Sequence, residues 1–428
     1  MTLLSVAREG TREYEALLEK LARRGETDLE RVEPAVRAMI GAVRAEGDRA
    51  VRRFVAEFEQ RNVDALLIHD YGGRAALAAL PNAVRAALDE AAKRIRRYHE
   101  RQFEDVVSFE YEEDGVLLGS RVRALAKVGV YVPGGKASYP SSVLMAAIPA
   151  SVAGVPHIVV ATPSAGPEVR AACHLAGVHA ILDAGGAQAV AALAYGTESV
   201  PRVDKIVGPG NLYVAAAKRL VFGDVDIDSI AGPSEILVVA DETANARIVA
   251  ADLLSQAEHD EAAYPLLVCT SDALVEAVDR EVAEQLATLP RRAIAEASVK
   301  GQGFALVVGS RDALANVANR LAVEHVALHV TNPDELASRI DRAGAIFIGE
   351  ATPEAAGDYL AGPSHVLPTG GAARFSAPLG VYDFVSRTSI IRYDRAALAA
   401  QGEHIKTFAR VEGLEAHARA VEARERAR

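Results

Sequence analysis

The architecture of this chain is set at Val128-Gly129-Val130-Tyr131-Val132-Pro133-Gly134-Gly135, where a valine-rich run ends in a proline and two glycines. From this point short apolar runs alternate with amphipathic segments, which is typical of βαβ units around a parallel sheet. The predicted strands are 128–132, 158–162, 180–182 and 205–207, and the predicted helices are 142–154, 167–177, 187–195 and 212–220. The sequence therefore predicts an α/β domain in this region.

A second alternation of the same kind begins after Ser234. Its predicted strands are 235–240, 266–269, 304–308, 325–330 and 345–348, and its predicted helices are 245–257, 273–289, 312–322 and 334–343. Before the first alternation, helical spacing of apolar residues dominates at 13–24, 33–46, 49–60 and 82–102. The fold class predicted is α/β, with two doubly wound, incomplete Rossmann-like parallel-sheet domains plus small helical N- and C-terminal segments.

The expected domain boundaries follow these changes of pattern. We expect an N-terminal helical arm (1–24), a first α/β domain (25–126 with 236–380), a second α/β domain (127–235) and a C-terminal helical tail (381–428). The length of 428 residues fits about two or three domains.

Charge and hydropathy exclude several classes of partner. The net charge is −11, and acidic and basic residues are interleaved, which argues against nucleic-acid binding. The least polar region, 137–157, is broken by three prolines and a glycine, so it predicts no membrane span. The first ten residues become charged too early for a signal peptide. We therefore expect a cytoplasmic protein.

Cysteine chemistry is not expected at the site. Cys173 lies in an apolar helical segment and Cys269 ends a predicted strand, and both patterns are typical of buried thiols. Any oxidation carried out by this protein should therefore proceed without a cysteine adduct.

Three glycine-containing loops follow strands of the first alternation. They are Val132-Pro133-Gly134-Gly135, Gly185-Gly186-Ala187-Gln188 and Gly208-Pro209-Gly210-Asn211. The carboxyl ends of parallel strands bind ligands in open α/β sheets, and helix N-termini suit phosphate. None of these loops matches the dinucleotide fingerprint, because Tyr213 stands where the third glycine belongs. A nucleotide cleft and tight turns without a ligand both remain open on this pattern.

A candidate metal site lies at the end of a predicted helix, in Leu253-Leu254-Ser255-Gln256-Ala257-Glu258-His259-Asp260. Gln256 and His259 are three residues apart and share a helix face. An amide oxygen and an imidazole suit a divalent ion that takes N and O ligands. The alternative is an ordinary helix-end glutamine beside a histidine bonded to a carbonyl.

Two further groups resist a purely structural interpretation. Glu324 and His325 stand where a helix gives way to a strand, so an imidazole and a carboxylate at one mouth could serve as two separate bases. Asp358 lies late in a helix, where the helix dipole favours a cation such as a metal ion, and His365 lies in a loop stiffened by prolines. A solvated glutamate beside a partly buried histidine is the alternative for the first pair.

These motifs resemble those of the histidinol dehydrogenase family along nearly the whole chain. The matching stretches are Glu46-Gly47-Asp48, Val130-Tyr131-Val132-Pro133-Gly134-Gly135, Gly185-Gly186-Ala187-Gln188-Ala189, Lys205-Ile206-Val207-Gly208-Pro209-Gly210-Asn211, Ala231-Gly232-Pro233-Ser234-Glu235, Asp252-Leu253-Leu254-Ser255-Gln256-Ala257-Glu258-His259-Asp260, His365-Val366-Leu367-Pro368-Thr369-Gly370-Gly371-Ala372-Ala373-Arg374-Phe375-Ser376 and Glu412-Gly413-Leu414-Glu415-Ala416-His417. So many long motifs in the same order are very specific.

The resemblance implies an activity and a site. That family oxidises L-histidinol to L-histidine, the last step of histidine biosynthesis, with NAD as oxidant and one zinc ion per subunit. By position it implies the zinc ligands Gln256, His259, Asp358 and His417, and the catalytic residues Glu324 and His325. The implied substrate contacts are Ser234, Gln256, His259, His325, Asp358, His365, Glu412 and His417, and the implied NAD contacts are Tyr131, Gln188 and Asn211. It further implies a homodimer in which the C-terminal tail completes the partner's site.

One position departs from the family pattern. Val323 stands where the family usually has a proline before the catalytic glutamate. Because a proline would fix φ at this junction, the valine leaves the carboxylate present but changes how rigidly the chain presents it.

The residue types suit the implied chemistry. An imidazole with a pKa near neutrality, His325, suits removal of the alcohol proton, and Glu324 is placed to activate the water that hydrates the aldehyde. Two other classes stay open at this point. A zinc hydrolase would use the same ligands without a nucleotide, and a two-lobed binding protein would share the architecture, although such proteins are commonly exported.

Overall fold

The computed structural model describes residues 3–24, 29–134 and 138–426. Its strands are β1 (Ser5–Arg8), β2 (Leu67–Ile68), β3 (Phe109–Glu113), β4 (Val116–Ala124), β5 (Lys127–Tyr131), β6 (His157–Ala161), β7 (Ala180–Leu182), β8 (Lys205–Val207), β9 (Asp226–Ile227), β10 (Glu235–Ala240), β11 (Tyr264–Cys269), β12 (Phe304–Val307), β13 (His325–His329), β14 (Ala345–Ile348) and β15 (Val385–Tyr393). Its helices are α1 (Arg12–Ala22), α2 (Glu33–Glu46), α3 (Asp48–Phe58), α4 (Gly73–Ala79), α5 (Asn82–Phe103), α6 (Pro140–Val152), α7 (Pro167–Ala176), α8 (Gly186–Tyr195), α9 (Leu212–Val221), α10 (Ala246–Ala257), α11 (Asp272–Leu286), α12 (Arg292–Gln302), α13 (Arg311–Leu321), α14 (Pro333–Ala337), α15 (Glu354–Tyr359), α16 (Arg395–Val411) and α17 (Glu415–Arg426).

Two parallel sheets form the framework. The first sheet has the order β1-β12-β11-β10-β13-β14, and the second has the order β2-β7-β6-β5-β8-β9. In each, five parallel strands are arranged as third, second, first, fourth and fifth in chain order. This is the order of a doubly wound Rossmann-like sheet that lacks its sixth strand, so the predicted fold class is confirmed. Apolar clusters cover both faces of each sheet.

Helices α2 to α5 pack on the second sheet, whereas α1 packs on β1 and α13 of the first. α2 and α3 pack on α8, α4 and α5 pack on α7, and β2 pairs antiparallel with β7. The expectation that 25–126 groups with 236–380 is therefore corrected, and residues 25–28 lie outside the described residues. An amphipathic helix must cover an apolar surface, but its pattern does not say which of two sheets supplies it.

Both ends of the chain contribute strands. β1 extends the first sheet by pairing with β12, so the expected helical arm 1–24 begins with a strand. β15 pairs antiparallel with β4, and β4 with β3, in a separate three-stranded sheet. The expected helical tail 381–428 accordingly contains a strand before its two long helices. These strands are much more exposed than those of the parallel sheets, so their sequences lack the apolar runs by which buried strands were predicted.

The tail itself is a pair of helices, α16 and α17, which pack chiefly against each other. Gly413 separates them with φ of +74°, a left-handed conformation that glycine adopts without steric cost. Ion pairs from Lys406 to Glu425 and from Arg410 to Glu422 tie the two helices together. Phe408 is 69% exposed although it is a large apolar side chain. The tail therefore presents apolar surface that this chain does not cover.

Both cysteines are buried in the core, as expected. Burial raises the pKa of Cys173 to about 12 and that of Cys269 to about 11, so neither thiol is a nucleophile at neutral pH. Across residues 3–24, 29–134 and 138–426, no helix combines the length and apolar character needed to span a bilayer.

Candidate active site

Glu324 and His325 lie at the amino end of β13, beside the start of β10. The two strands hold each other in register there through Glu235, the first residue of β10. The Glu235 N–H donates to Glu324 Oε2 at 2.9 Å, and the Glu324 N–H donates back to Glu235 Oε2 at 3.2 Å. His325 Nδ1 lies 2.9 Å from the Glu235 carbonyl oxygen. Hydrogen bonds to Glu235 thus hold the carboxylate of Glu324 and the imidazole of His325 at the same end of the sheet.

The turn that presents this pair does not depend on a proline. α13 ends with Ala322 in the left-handed region, at φ of +45°, and the chain then enters β13 through Val323. Val323 is fully buried in the apolar cluster of the first sheet, and its carbonyl accepts a hydrogen bond from the Gly344 N–H at 3.0 Å. Packing and hydrogen bonds therefore supply the rigidity that a proline would otherwise provide.

Burial controls the protonation of the two side chains. It lowers the pKa of His325 to about 4, below the near-neutral value expected from the sequence, so the imidazole is neutral at physiological pH but a weaker base than an exposed histidine. Because a carbonyl oxygen can only accept, His325 Nδ1 carries the proton, and Nε2 keeps a lone pair. Burial raises the pKa of Glu324 well above its ordinary value, which makes this carboxylate a stronger base than an exposed glutamate.

A group suited to a divalent ion lies next to this pair. His259, just beyond α10, and Glu354 and Asp358 of α15 offer ligand atoms that all lie within 4.8 Å of one another. Gln256, in the last turn of α10, is fully buried beside them. Asp358, His259 and His365 are all close enough to His325 to influence its pKa. This imidazole, carboxylate and amide set fits the N and O ligand preference of zinc.

Of the other residues expected to contact the substrate, His365 and Ser234 lie near this group, whereas Glu412 and His417 do not. His365 follows α15, and its Nδ1 donates to the Asp358 carbonyl oxygen at 3.0 Å, which leaves Nε2 as an acceptor. Ser234 is the residue before β10, beside Glu235. Glu412 and His417 lie at the junction of α16 and α17, are exposed, and stand outside the group formed by His259, Glu354 and Asp358 in this chain.

The three expected nucleotide residues line one cleft. Tyr131, Gln188 and Asn211 all face a cleft of about 980 Å³ at the carboxyl ends of the strands of the second sheet. The Tyr131 hydroxyl accepts from the Gly186 N–H at 3.0 Å, and Asn211 Oδ1 caps α9 by accepting from the Tyr213 and Val214 N–H groups. No hydrogen bond within the described part of the chain engages the Asn211 amide nitrogen, so it is left for a ligand. Gly135 of the first loop lies outside the described residues.

A close backbone approach shapes this cleft. Gly208 has φ of +110°, and a side chain there would collide with the carbonyl oxygen of Tyr131. Lys218 is buried beneath this loop and is paired with Asp228, which also accepts from the Gly208 N–H at 2.7 Å. The glycine in this loop therefore serves packing as well as any ligand.

The cleft and the metal-suited group are neighbours. Tyr139 lines the cleft, and Tyr359 ends α15 directly after Asp358. The pKa of Tyr359 is raised chiefly by burial and next by Asp358, and Tyr139 is near enough to contribute. A nucleotide in the cleft and a small molecule beside His325 would thus share one region.

Two functional candidates went unnoticed in the sequence. Glu354 belongs to the metal-suited group, and its i, i+4 spacing to Asp358 on one helix face was the available signal. Arg24 forms a buried bidentate ion pair with Glu235, with Nε–Oε1 of 2.9 Å and Nη2–Oε2 of 2.7 Å. Nothing in the local sequence of Arg24 signals a partner more than two hundred residues away.

Comparisons with known proteins agree with this geometry. A profile of the histidinol dehydrogenase family matches residues 22–425. The chain is 52% identical to histidinol dehydrogenase of Syntrophotalea carbinolica over 418 residues, covering 96% of this chain and 97% of that protein. It is 52% identical to the Bacillus subtilis enzyme over 396 residues, covering 91% and 92%. The crystal structure of histidinol dehydrogenase from Elizabethkingia anophelis superposes with a TM-score of 0.91 at 32% identity, covering 99% of this chain and 98% of that one. The chain therefore belongs to the histidinol dehydrogenase family, the oxidoreductases that catalyse the last step of histidine biosynthesis.

Proposed function

We propose that this chain oxidises L-histidinol through histidinal to L-histidine in two NAD-dependent steps, at one zinc site per subunit. The observation that carries the proposal is the convergence of Glu324 and His325 with His259, Glu354 and Asp358 beside a nucleotide-sized cleft. This arrangement places two bases beside a group suited to a divalent ion, as the proposed two-step oxidation at a zinc site requires.

Different residues would bind the zinc ion and the NAD molecule. Gln256, His259, Asp358 and His417 would hold zinc, and Tyr131, Gln188 and Asn211 would contact NAD. When bound, zinc holds and polarises the amine and imidazole of the substrate, and NAD accepts the hydrides. The carboxylates of Glu324, Glu354 and Asp358 favour a cationic substrate.

His325 acts as base in the first oxidation. Its Nε2 carries the lone pair because Nδ1 donates to the Glu235 carbonyl. It takes the proton of the substrate hydroxyl while hydride leaves the carbinol carbon. Depression of its pKa to about 4 keeps the imidazole neutral and ready to accept that proton at physiological pH.

Glu324 acts in the second oxidation. An aldehyde carries no hydroxyl proton, so a water molecule must add to it before a second hydride can leave. Glu324 Oε2 is fixed by the Glu235 N–H at 2.9 Å, which orients the carboxylate to deprotonate that water. The raised pKa of Glu324 strengthens it as a base.

We further propose that the site is shared between the two subunits of a homodimer. Glu412 and His417 stand apart from the metal-suited group of their own chain, and α16 exposes the apolar Phe408. A tail that docks on a partner subunit would cover this surface and deliver both residues to the partner's site. Location in the cytoplasm stays a prediction.

Removal of the metal tests the proposal. Protein treated with a chelator should form no NADH from L-histidinol, and zinc or another ion that prefers N and O ligands should restore the activity. An unchanged melting profile after chelation is the control for intact folding. Full activity in a verified metal-free sample would contradict the zinc assignment.

A further inference from the structure

Glu354 is a buried carboxylate with well-defined partners. Only 2% of the residue is exposed. Its Oε2 accepts a hydrogen bond from the Ser255 hydroxyl at 3.2 Å, and its Oε1 faces Gln256 and His325. A carboxylate this deeply buried is strongly disfavoured unless polar groups surround it, so its position calls for an explanation.

The surroundings of Gln256 determine which way its amide points. One end of the Gln256 amide lies 3.0 Å from Glu354 Oε1 and 3.0 Å from the Glu235 carbonyl oxygen, and with Nε2 at this end it donates to both. His325 Nδ1, 3.2 Å away, is already a donor to the same carbonyl and so cannot accept. Two acceptors therefore match the two amide N–H groups. In the opposite orientation, the amide oxygen would face both acceptors.

We infer that Glu354 is a positioning residue that turns the amide oxygen of Gln256 toward the metal, and that Glu354 is not itself a ligand. The inference rests on the proposed zinc site. With both N–H groups bonded, Gln256 Oε1 is the only atom of the amide left to ligate, and an amide nitrogen has no lone pair to offer. Partners of this kind orient the ligands of protein-bound metals and increase metal affinity.

The contacts of Glu354 distinguish a positioning residue from a metal ligand. Its two oxygens are engaged, one by Ser255 and the other by Gln256. Among the described residues, no hydrogen bond engages the facing atoms His259 Nε2 and Asp358 Oδ2, which lie 4.0 Å apart. If Glu354 acts only through Gln256, removing Glu354 after the Gln256 amide is gone should cause no further loss of metal affinity.

A double-mutant cycle on zinc affinity tests this inference. The dissociation constant of zinc is measured for the metal-free full-length protein by competition with a chromophoric chelator, for wild type, E354A, Q256A and the double variant. We expect each single variant to weaken zinc binding by about 10- to 100-fold, and the double variant to be no weaker than the weaker single variant. Losses that multiply in the double variant would mean that Glu354 binds the metal directly and would overturn the inference.

Two further variants keep the test decisive if E354A folds poorly. E354Q retains a carbonyl oxygen for the Gln256 N–H, so its zinc affinity should lie closer to wild type than to E354A. S255A removes only the contact to the other oxygen and leaves the Gln256 amide bonded to Glu354, so it should weaken zinc binding much less than E354A does. A large loss in E354Q would also overturn the inference. Wild-type protein that binds no zinc would contradict the proposed function and this inference together, whereas unchanged affinity in E354A would contradict the inference alone.

Discussion

Replacing Arg24 with methionine should destabilise the protein strongly, because Arg24 neutralises the buried carboxylate of Glu235, which also accepts from the Glu324 N–H. Both side chains of the Arg24–Glu235 pair are 1% exposed. Arg24 Nη1 also donates to the carbonyl oxygens of Leu21 and Leu321 at 2.8 and 2.9 Å. Methionine would fill most of the space, but it would leave a buried negative charge and two carbonyls without these donors.

The expected magnitude follows from that burial. Removal of one partner from a buried ion pair costs about 3–5 kcal/mol, because the remaining charge stays buried and unpaired. Arg8 provides a matched control in the same N-terminal segment. It pairs with Asp272 at 2.7 Å, but the two side chains are 56% and 53% exposed. Replacement of Arg8 by methionine should therefore cost only about 0–1 kcal/mol.

Thermal unfolding of the two variants measures the difference. A loss of 1 kcal/mol lowers Tm by about 2–4 °C for domains of about 150–250 residues, so the Arg24 variant should melt on the order of 10 °C below wild type. The Arg8 variant should melt within about 4 °C of wild type, by the same conversion. Equal Tm values for the two variants would refute the reasoning that Arg24 is required to compensate buried Glu235.

Three further outcomes are expected. Glu324→Gln should slow oxidation of histidinal more than oxidation of histidinol, by about 100-fold or more, because only the aldehyde step needs activated water; equal losses would contradict the separate roles. Refolding an equal mixture of inactive His259→Ala and His417→Ala proteins should recover about a quarter of wild-type activity, since half of randomly paired dimers are mixed and each holds one intact site; a mixture that stays inactive, under conditions that refold wild type, would place each tail on its own body. The pKa of His325 is lowered from 6.5 to about 4, so its neutral form contributes stability that is present above pH 6.5 and lost as pH falls toward 4. His325→Asn should remove about 3 kcal/mol of that acid dependence from the unfolding free energy of the metal-free protein, and an unchanged slope would contradict it.

Much of the fold could be predicted because each strand and helix of an α/β alternation is encoded by its own short stretch of sequence. The strands Ala180–Leu182, Lys205–Val207, Glu235–Ala240 and Ala345–Ile348 have the predicted bounds, since each is an apolar run bounded by turn residues. The packing of α2 to α5 could not be predicted, because an amphipathic face does not identify its partner. Strands β3 and β15 were not predicted for a related reason, because exposed antiparallel strands lack a continuous apolar run.

The candidate site divides in the same way. Gln256 with His259, and Glu324 with His325, are close in sequence, so spacing alone placed each pair together. Their convergence depends on β10 lying between β11 and β13, which no short pattern records. The ion pair of Arg24 and Glu235 joins residues 211 positions apart and is visible only in the folded chain.

The stoichiometry of NADH formation tests the central proposal most directly. The proposed two-step oxidation predicts two NADH per L-histidinol consumed, with L-histidine as the carbon product and no accumulation of histidinal. One NADH per L-histidinol with histidinal released, or consumption of substrate without any NADH, would contradict it.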